Sequence, residues 1–455
     1  MNSTQEYQNW LALTAGNAQE QEELRALASD PAELEDRFYR ELSFGTAGMR
    51  GVLGLGPNRM NRYTVGRVTL ALAALVNEHE GGAERGVAIG YDSRNFSQEF
   101  ARETALILAS QGVKAYLFDS LRPVPVLSFT VRHLHCLAGV VITASHNPSK
   151  YNGYKVYWED GGQLPPDRAA IITGRLDGIG YGDAKPMDEK EAREKGLLVT
   201  IPPEVDDAYI AAVKKLSVNP ELAREMGKTL KIVYTPLHGS GNLPVRRIFR
   251  EIGMENVYVV PEQELPDGDF PTVRVPNPED PDAFRLALKM QAELDADLCV
   301  GTDPDCDRVG IACMTADGPR LLNGNQIGCV LLHYILSQKK ERGELPANAA
   351  AVNEVRTKES AKRHHAEVEL EQAQETARKI NGMTVVVKAK AGQGGRLFGA
   401  VTGKDIADAL AKAAGVTVDK RKVVLDADIK NYGRYEVEIK VYPSVTARVT
   451  VSVEE

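Results

Sequence analysis

Leu137-Ala138-Gly139-Val140-Val141-Ile142-Thr143 runs without a charge into Ala144-Ser145-His146-Asn147-Pro148, a cluster of small polar residues. An apolar run this short and rich in β-branched residues reads as a buried strand. The polar cluster then sits at the strand's C-terminal end, where open α/β sheets bind ligands. The flanking sequence repeats the pattern. Gly86-Val87-Ala88-Ile89-Gly90-Tyr91-Asp92 is a second buried strand, Phe96–Gln111 a helix stopped by Gly112, and Val113–Asp119 a third strand. Such alternation specifies α/β layers on a mostly parallel sheet.

Ahead of this region, residues 1–40 read as charged helices, and Val65–Glu78 is apolar at helical spacing. Beyond it the alternation resumes. Leu230–Thr235, Val257–Val260 and Leu298–Gly301 read as strands, and Asn242–Ile252 and Phe284–Glu293 as helices. Gly178–Pro203 is irregular and reads as a linker. Glu264–Asp282, rich in Pro, Gly and Asp, reads as a long surface loop. An apolar helix follows from Gln326 to about Ser337.

Then the texture changes. Asn353–Ile380 has no Pro or Gly, and Ala366, Leu370, Ala373, Ala377 and Ile380 form one narrow apolar seam. That is an exposed charged helix, stopped by Asn381-Gly382. A small α+β pattern completes the chain. Thr384–Lys390 is a strand, Gln393–Gly399 a glycine-rich loop, Lys404–Ala414 a helix and Val416–Val424 a strand. Tyr435–Tyr442 and Val445–Glu454 alternate apolar and polar residues, as an antiparallel pair with one packed face does.

Composition narrows the function classes. The chain has 455 residues, 43% hydrophobic and 26% charged, which excludes disorder as the dominant state. Its net charge of −8 argues against nucleic-acid binding by the chain as a whole. That average hides an asymmetry. From Asn353 onward there are 18 basic and 15 acidic residues, against 37 and 48 before it. All five cysteines and both tryptophans lie in the first part. An odd cysteine count without a C-x-x-C pair suggests neither a disulfide framework nor a zinc cluster. The polar N-terminus reads as no secretory leader, and no apolar run approaches roughly 18 residues. The expectation is a cytoplasmic enzyme without a membrane span.

Three stretches carry chemistry. Ser145 in Thr143–Pro148 could be a nucleophile or phosphate carrier, the plain alternative being a Ser/Asn/Pro turn. Lys155 follows ten residues later. Gly301-Thr302-Asp303-Pro304-Asp305-Cys306-Asp307-Arg308 places three carboxylates at alternate positions after a buried strand. In a tight loop they converge on a hard cation such as Mg²⁺; the alternative is an acidic turn. Cys306, between acids, reads as filler. Phe44-Gly45-Thr46-Ala47-Gly48-Met49-Arg50-Gly51 could bring backbone N–H groups and a guanidinium to a phosphate, or be a plain turn. Asp92-Ser93-Arg94 and Leu237-His238-Gly239-Ser240-Gly241 also follow strands. Gly399–Lys404 lacks the spacing of a phosphate-binding P-loop.

Taken together, these stretches give the first 350 residues or so a resemblance to the α-D-phosphohexomutases, of the phosphoglucomutase, phosphomannomutase and phosphopentomutase type. The resemblance implies α/β domains and transfer of a phosphoryl group between a serine and a hexose or pentose phosphate. It implies Ser145 as the phosphoserine, with Asp303, Asp305, Asp307 and the serine oxygen around Mg²⁺. Arg50, His146 and Lys155 would line the transfer site, and Arg308, Arg94 and His238 would contact phosphate or substrate. Members of that family have four domains. The third carries a sugar-recognition loop and the fourth a phosphate-gripping R-x-S-G-T-x-P loop, and this chain contains neither sequence.

The rest of the chain, from about Ala347, resembles the C-terminal part of bacterial large-subunit ribosomal protein nine. The resemblance rests on Lys390–Gly399, Thr402–Ile406, Asp419–Lys422 and the closing strands. It implies contact with large-subunit rRNA, with Lys388, Lys390, Arg396, Lys420 and Arg421 as candidates. The expected layout is 1–205 for the serine domain and 206–322 for the metal-loop domain. Residues 323–346 would be the start of a truncated third domain, 347–380 a connecting helix and 381–455 the ribosomal-type domain. Three functions follow: a mutase impaired by loss of its third and fourth domains, an rRNA-binding module carrying a mutase fragment, or a chimera with no single function. The helix bearing Ile327, Val330, Leu331 and Ile335 would have lost its packing strands. It would lean on the second domain or run on into the charged helix.

Overall fold

The computed structural model of the chain describes residues 2–342, 376–390, 396–414, 422–425, 429–442 and 445–454. It divides into two units, Met1–Glu341 and Arg342–Glu455. In the first, seven strands form one sheet: Phe44–Gly45 (β1), Gly48–Val52 (β2), Val87–Tyr91 (β3), Ala115–Leu117 (β4), Ala138–Ile142 (β5), Tyr151–Trp158 (β6) and Leu198–Thr200 (β7). Their order is β1-β2-β6-β5-β3-β4-β7. Every residue of β3 and β5 is buried, because both faces of the sheet are covered. Val87, Ile89, Val140 and Ile142 pack into one core with the helices Arg62–Asn77 and Ser97–Ser110. Ala88 and Val141 point the other way, toward Leu127 and Val131 of the helix Val124–His133.

Two expectations change here. The sheet is mixed: β5, β3, β4 and β7 are parallel, but β6 and β2 add antiparallel. Asn152-Gly153 lies inside β6. Glycine is required there because a Cβ would stand 2.5 Å from the Thr143 carbonyl oxygen. Gly178–Pro203 is no linker. It contributes the helix Glu189–Glu194 and strand β7, whose three residues pair with β4. So short a strand leaves little periodicity to read.

A second sheet follows, made of Lys231–Thr235 (β8), Asn256–Val259 (β9), Leu298–Thr302 (β10), Val309–Thr315 (β11) and Gly318–Leu322 (β12). Its order is β12-β11-β10-β8-β9. The parallel core β9-β8-β10 carries an antiparallel hairpin on one edge. The helix Glu204–Lys214 runs across the expected 205/206 boundary and touches both Val124–His133 and Asn242–Ile252. It belongs to both layers rather than ending one. The stretch Glu264–Asp282 is not wholly a surface loop, since Phe270 within it is 2% exposed.

The apolar helix spans Gly324–Glu341. Ile327 is buried, whereas Val330, Leu331, Leu332 and Leu336 are exposed. The helix leans on the segment around Leu216–Met226, where Asn219 Nδ2 donates to Tyr334 Oη at 2.9 Å and to Gln338 Oε1 at 2.6 Å. Among the described residues no helix is long and apolar enough to cross a membrane.

Glu103, on the helix Ser97–Ser110, faces a cleft it shares with Glu20 and Arg62. Burial pushes its carboxyl up to about 7, with Arg62 opposing and Glu20 adding. Between the ordinary glutamate range and pH 7, the folded chain therefore keeps a proton that the unfolded chain has released. This contribution to stability is lost as pH rises through 7. Glu103→Gln is expected to remove that loss and raise stability at pH 8 by about 2 kcal/mol. Urea unfolding at pH 5 and pH 8 checks this; an equal change at both pH values would contradict it.

In the second unit, Thr384–Lys388 (β13), Arg396–Val401 (β14), Val423–Val424 (β15), Ile429–Asn431 (β16), Gly433–Tyr442 (β17) and Val445–Glu454 (β18) form two sheets, ordered β13-β18-β17-β15 and β14-β16. Alternate residues Val437, Ile439, Val449, Val451 and Val453 face a core shared with Ile406 and Leu410 of the helix Gly403–Ala414. Asp405 accepts from the Thr402 N–H at 2.8 Å, closing the helix start. Gly399–Lys404 is thus the end of a strand and a helix cap, not a phosphate loop. The expected glycine-rich loop is strand β14 from Arg396 onward, and its first residues, 393–395, lie outside the described residues. So do most of Asn353–Ile380 and the part of Val416–Val424 before 422. Ala377 and Ile380 are described, and both are buried.

Candidate active site

The site forms where the C-terminal ends of β5 and β10 meet. Ser145, just past β5, is 3% exposed and has φ +52°. That backbone region costs a non-glycine residue about 1–3 kcal/mol, so its surroundings must enforce it. Thr143 Oγ1 accepts from the Ser145 N–H at 2.8 Å and donates to Asp92 Oδ2 at 2.5 Å. Asp92 directly follows β3, so the ends of two adjacent parallel strands hold the serine turn. Ser145 Oγ donates to Asp303 Oδ2 at 2.7 Å and lies 3.2 Å from His146 Nδ1.

Asp303, Asp305 and Asp307 follow β10 and offer oxygens within 4.8 Å of one another. The loop turns at Cys306, whose φ is +54°. Burial pushes the Cys306 thiol up to about 12, so it stays protonated and unreactive. The Gly239-Ser240 turn presses on this loop: Ser240 donates through its N–H and Oγ to the Pro304 carbonyl, each at 2.8 Å. A Cβ on Gly239 would stand 2.4 Å from Pro304 Cα. The Leu237–Gly241 stretch therefore supports the acidic loop.

Lys155 on β6 reaches into the same cluster. It donates to Asp305 Oδ2 at 2.8 Å and lies 3.6 Å from Asp307. Burial opposes its charge, but Asp305 and Asp307 prevail and hold the ammonium above the ordinary lysine value. Burial likewise opposes the charge of Asp305, and Lys155 prevails, holding that carboxyl low. Asp303 goes the other way: burial, then Asp305, push it well above the carboxylate range. One lysine thus leaves the triad short of positive charge. Asp305 Oδ1 is also buried without a hydrogen-bond partner. An all-oxygen set with an orphaned oxygen and an excess of acids fits a hard metal cation.

His146 is kept below the ordinary histidine value by burial, with Arg308 and Arg50 close by. Arg50 on β2 is exposed and donates to Asn147 Oδ1 at 2.8 Å. Arg308 is exposed beside Asp307. The structure therefore brings together Ser145, His146, Lys155, Arg50, Asp303, Asp305, Asp307 and Arg308.

Arg94 and His238 do not sit where phosphate contacts would. Arg94 is 3% exposed, and its guanidinium donates to the carbonyls of Ser145, Asn147, Pro148 and Tyr151. It holds the serine loop, and its Nε stands 3.5 Å from the Asp92 carboxylate. His238 is also 3% exposed, with Nδ1 on Leu265 O at 3.1 Å and Nε2 on Thr272 Oγ1 at 2.9 Å. Buried polar groups satisfied in this way are structural. Thr143, Asp92 and Ser240 lie in stretches that the sequence singles out, but the sequence reading gives them no role of their own. Their signal was position, each standing at or just past a strand end. In the C-terminal unit Lys388 and Lys390 are exposed. The side chain of Arg396, and all of Lys420 and Arg421, lie outside the described residues.

Comparison with known proteins matches three segments of the chain. Residues 41–181 match alpha/beta/alpha domain I of the phosphoglucomutase/phosphomannomutase family, and residues 207–316 match its domain II. Residues 371–455 match the C-terminal domain of ribosomal protein L9. A Staphylococcus epidermidis phosphoglucomutase is 41% identical over 307 residues, covering 67% of this chain and 55% of the relative. A Staphylococcus haemolyticus phosphoglucomutase is 37% identical over 338 residues, covering 71% and 60%. The chain thus spans little more than half the length of these relatives. A crystal structure from Thermus thermophilus, assigned as a phosphomannomutase, superposes with a TM-score of 0.50 at 28% identity over 60% of this chain and 57% of its own. Through residues 41–181 and 207–316 the chain belongs to the phosphoglucomutase/phosphomannomutase family, as its domains I and II, and through residues 371–455 it carries the C-terminal domain of ribosomal protein L9.

Proposed function

We propose that the N-terminal unit transfers a phosphoryl group between a sugar phosphate and Ser145 Oγ, as the serine half-reaction of a phosphohexomutase. The contact that carries this reading is Ser145 Oγ at 2.7 Å from Asp303 in a buried acidic cluster that also holds Lys155. Asp303, Asp305 and Asp307 would hold Mg²⁺, which neutralises charge on the moving phosphoryl group. The Oγ–P bond forms as the bond from phosphorus to the sugar oxygen breaks. The Oγ proton passes to His146 Nδ1, whose imidazole is kept neutral and able to accept it. The sugar oxygen leaves and takes its proton from water, and His146 then gives its own proton back to water. Lys155 keeps the acidic cluster compact, while Arg50 and Arg308 offer exposed charge to the incoming phosphate. Phosphoryl transfer needs little beyond such positioning and neutralisation.

The full mutase cycle requires the sugar bisphosphate to turn over while bound. The family match covers domains I and II, and no sugar- or phosphate-gripping loop of the later domains occurs in the sequence. We therefore expect interconversion of glucose 1-phosphate and glucose 6-phosphate to be at least about a thousandfold slower than in a four-domain mutase, since lost positioning raises the barrier. A coupled assay on the purified chain checks this. Turnover near that of a four-domain mutase would contradict it.

A second reading concerns the C-terminal unit. Its family match, the basic balance after Asn353 and the exposed Lys388 and Lys390 favour large-subunit rRNA as its partner. Co-sedimentation with large ribosomal subunits at low salt, lost as salt rises, is the expected result. No co-sedimentation at low salt would overturn it.

A further inference from the structure

The serine turn and the acidic loop meet directly through Ser145 and Asp303, but a second connection runs beside them. The segment 265–272 leaves the second sheet's layer and comes to rest on the first. Phe270 at its centre is 2% exposed, and the Arg94 guanidinium carbon stands 4.9 Å from its ring centroid. Asn95, next to Arg94, donates to Asp269 Oδ1 at 2.7 Å. His238 holds the segment from behind. Its ring nitrogens bond to Leu265 O and Thr272 Oγ1, and its ring lies 6.5 Å from that of Phe270. Two residues beyond His238, Ser240 grips the Pro304 carbonyl of the acidic loop.

The contacts form an unbroken series: acidic loop, Ser240, His238, Phe270, Arg94, and the four carbonyls of the serine turn. Arg94 is the point where it converges. A guanidinium is planar, with a fork of donors at its edge and faces that stack on aromatic rings. Here Nη1 and Nη2 are spent on Ser145, Asn147, Pro148 and Tyr151, Nε lies 3.5 Å from Asp92 Oδ2, and one face is covered by an aromatic ring. An aromatic face stabilises such a cation most when water is excluded, as it is here. With the ring gone, water or a shifted side chain would compete for the guanidinium, and the four carbonyls would lose their common anchor.

We propose that Phe270 is a positioning residue for Ser145. Held by His238, it fixes Arg94 and through it the strained turn at Ser145, so that the segment 265–272 sets the serine to the acidic loop. The role builds on the proposed transfer to Ser145, but the positioning is measurable without it. The experiment is amide hydrogen exchange, followed by mass spectrometry, on the full chain and on Phe270→Leu, Phe270→Tyr and Asp269→Ala. Phe270→Leu keeps apolar bulk without the ring, and Phe270→Tyr keeps the ring. Asp269→Ala releases the segment from Asn95 without opening a cavity, which keeps the test alive should the Leu variant fold poorly.

The expected result is that amides of residues 143–151 exchange about tenfold faster in Phe270→Leu and about threefold faster in Asp269→Ala, with Phe270→Tyr close to the parent. The helix Ser97–Ser110 should be unchanged in all of them. Loosening of 265–272 without any change in 143–151 would overturn the proposal. So would faster exchange throughout the unit to the same degree, which is mere destabilisation. As a second readout, phosphoryl incorporation at Ser145 should slow in Phe270→Leu with the substrate KM unchanged. Absence of incorporation in the parent protein would count against the proposed function and leave the exchange result to judge the positioning.

Discussion

Ser145→Ala is expected to remain folded and to take up no phosphoryl group from a sugar bisphosphate. The loss is complete because the atom that forms the new bond is gone, and Thr46, Ser93 or Thr143 cannot replace it. Thr143 Oγ1 is held between the Ser145 N–H and Asp92, and the others do not contact the acidic triad among the hydrogen bonds of the described residues. The stability cost should be small, about 1 kcal/mol for the lost bond to Asp303. Alanine meets the positive φ at 145 no worse than serine does, and Arg94 still holds the surrounding carbonyls. Intact mass with thermal unfolding separates the two effects. Incorporation equal to the parent would remove Ser145 from the mechanism.

Lys155→Met should produce the largest change in stability. Methionine fills similar space but leaves Asp303, Asp305 and Asp307 without their buried cation. Removing one partner of a buried ion pair costs about 3–5 kcal/mol, since the other charge stays buried and uncompensated. The pH dependence follows from the directions of the shifts. Lys155 holds Asp305 below its ordinary value, a contribution present above the usual aspartate range and lost as pH falls through the folded value. The gap between parent and variant should thus be full at neutral pH and narrow in acid, where protonation removes the charge that Lys155 balances. Mg²⁺ should narrow it as well. A cation at a hundred times its dissociation constant adds about 2.7 kcal/mol, and in the variant it replaces the missing charge. Urea unfolding with and without Mg²⁺ measures both. A variant as stable as the parent without the cation, or one indifferent to Mg²⁺, would contradict this description of the cluster.

Much of this arrangement is legible in the sequence because it follows one rule: a short buried strand ending in a polar cluster. The rule locates β3, β5, β8 and β10, and with them Ser145 and the three aspartates. It fails where structure depends on distant partners. Strand β6 hides behind Asn152-Gly153, whose glycine serves close packing and not a turn. Strand β7 has too few residues to show a period. Arg94 and His238 are expected at the phosphate from the sequence, and only the fold shows Arg94 buried against four carbonyls and His238 held between Leu265 O and Thr272 Oγ1. Phe270 sits in a stretch whose Pro, Gly and Asp content signals solvent, yet it is among the most buried aromatics of its unit. The change of character near residue 350 shows in the charge balance, which passes from 37 basic and 48 acidic residues before Asn353 to 18 and 15 from there on.

Phosphoryl transfer to Ser145 is tested most directly by the mass of the proteolytic peptide containing that residue, after the full chain is incubated with glucose 1,6-bisphosphate and Mg²⁺. A gain of one phosphoryl group on Ser145 is expected, absent when Mg²⁺ is chelated and absent in Asp303→Asn. No gain on that peptide, or a gain that persists without the cation and without Asp303, would contradict the proposed chemistry.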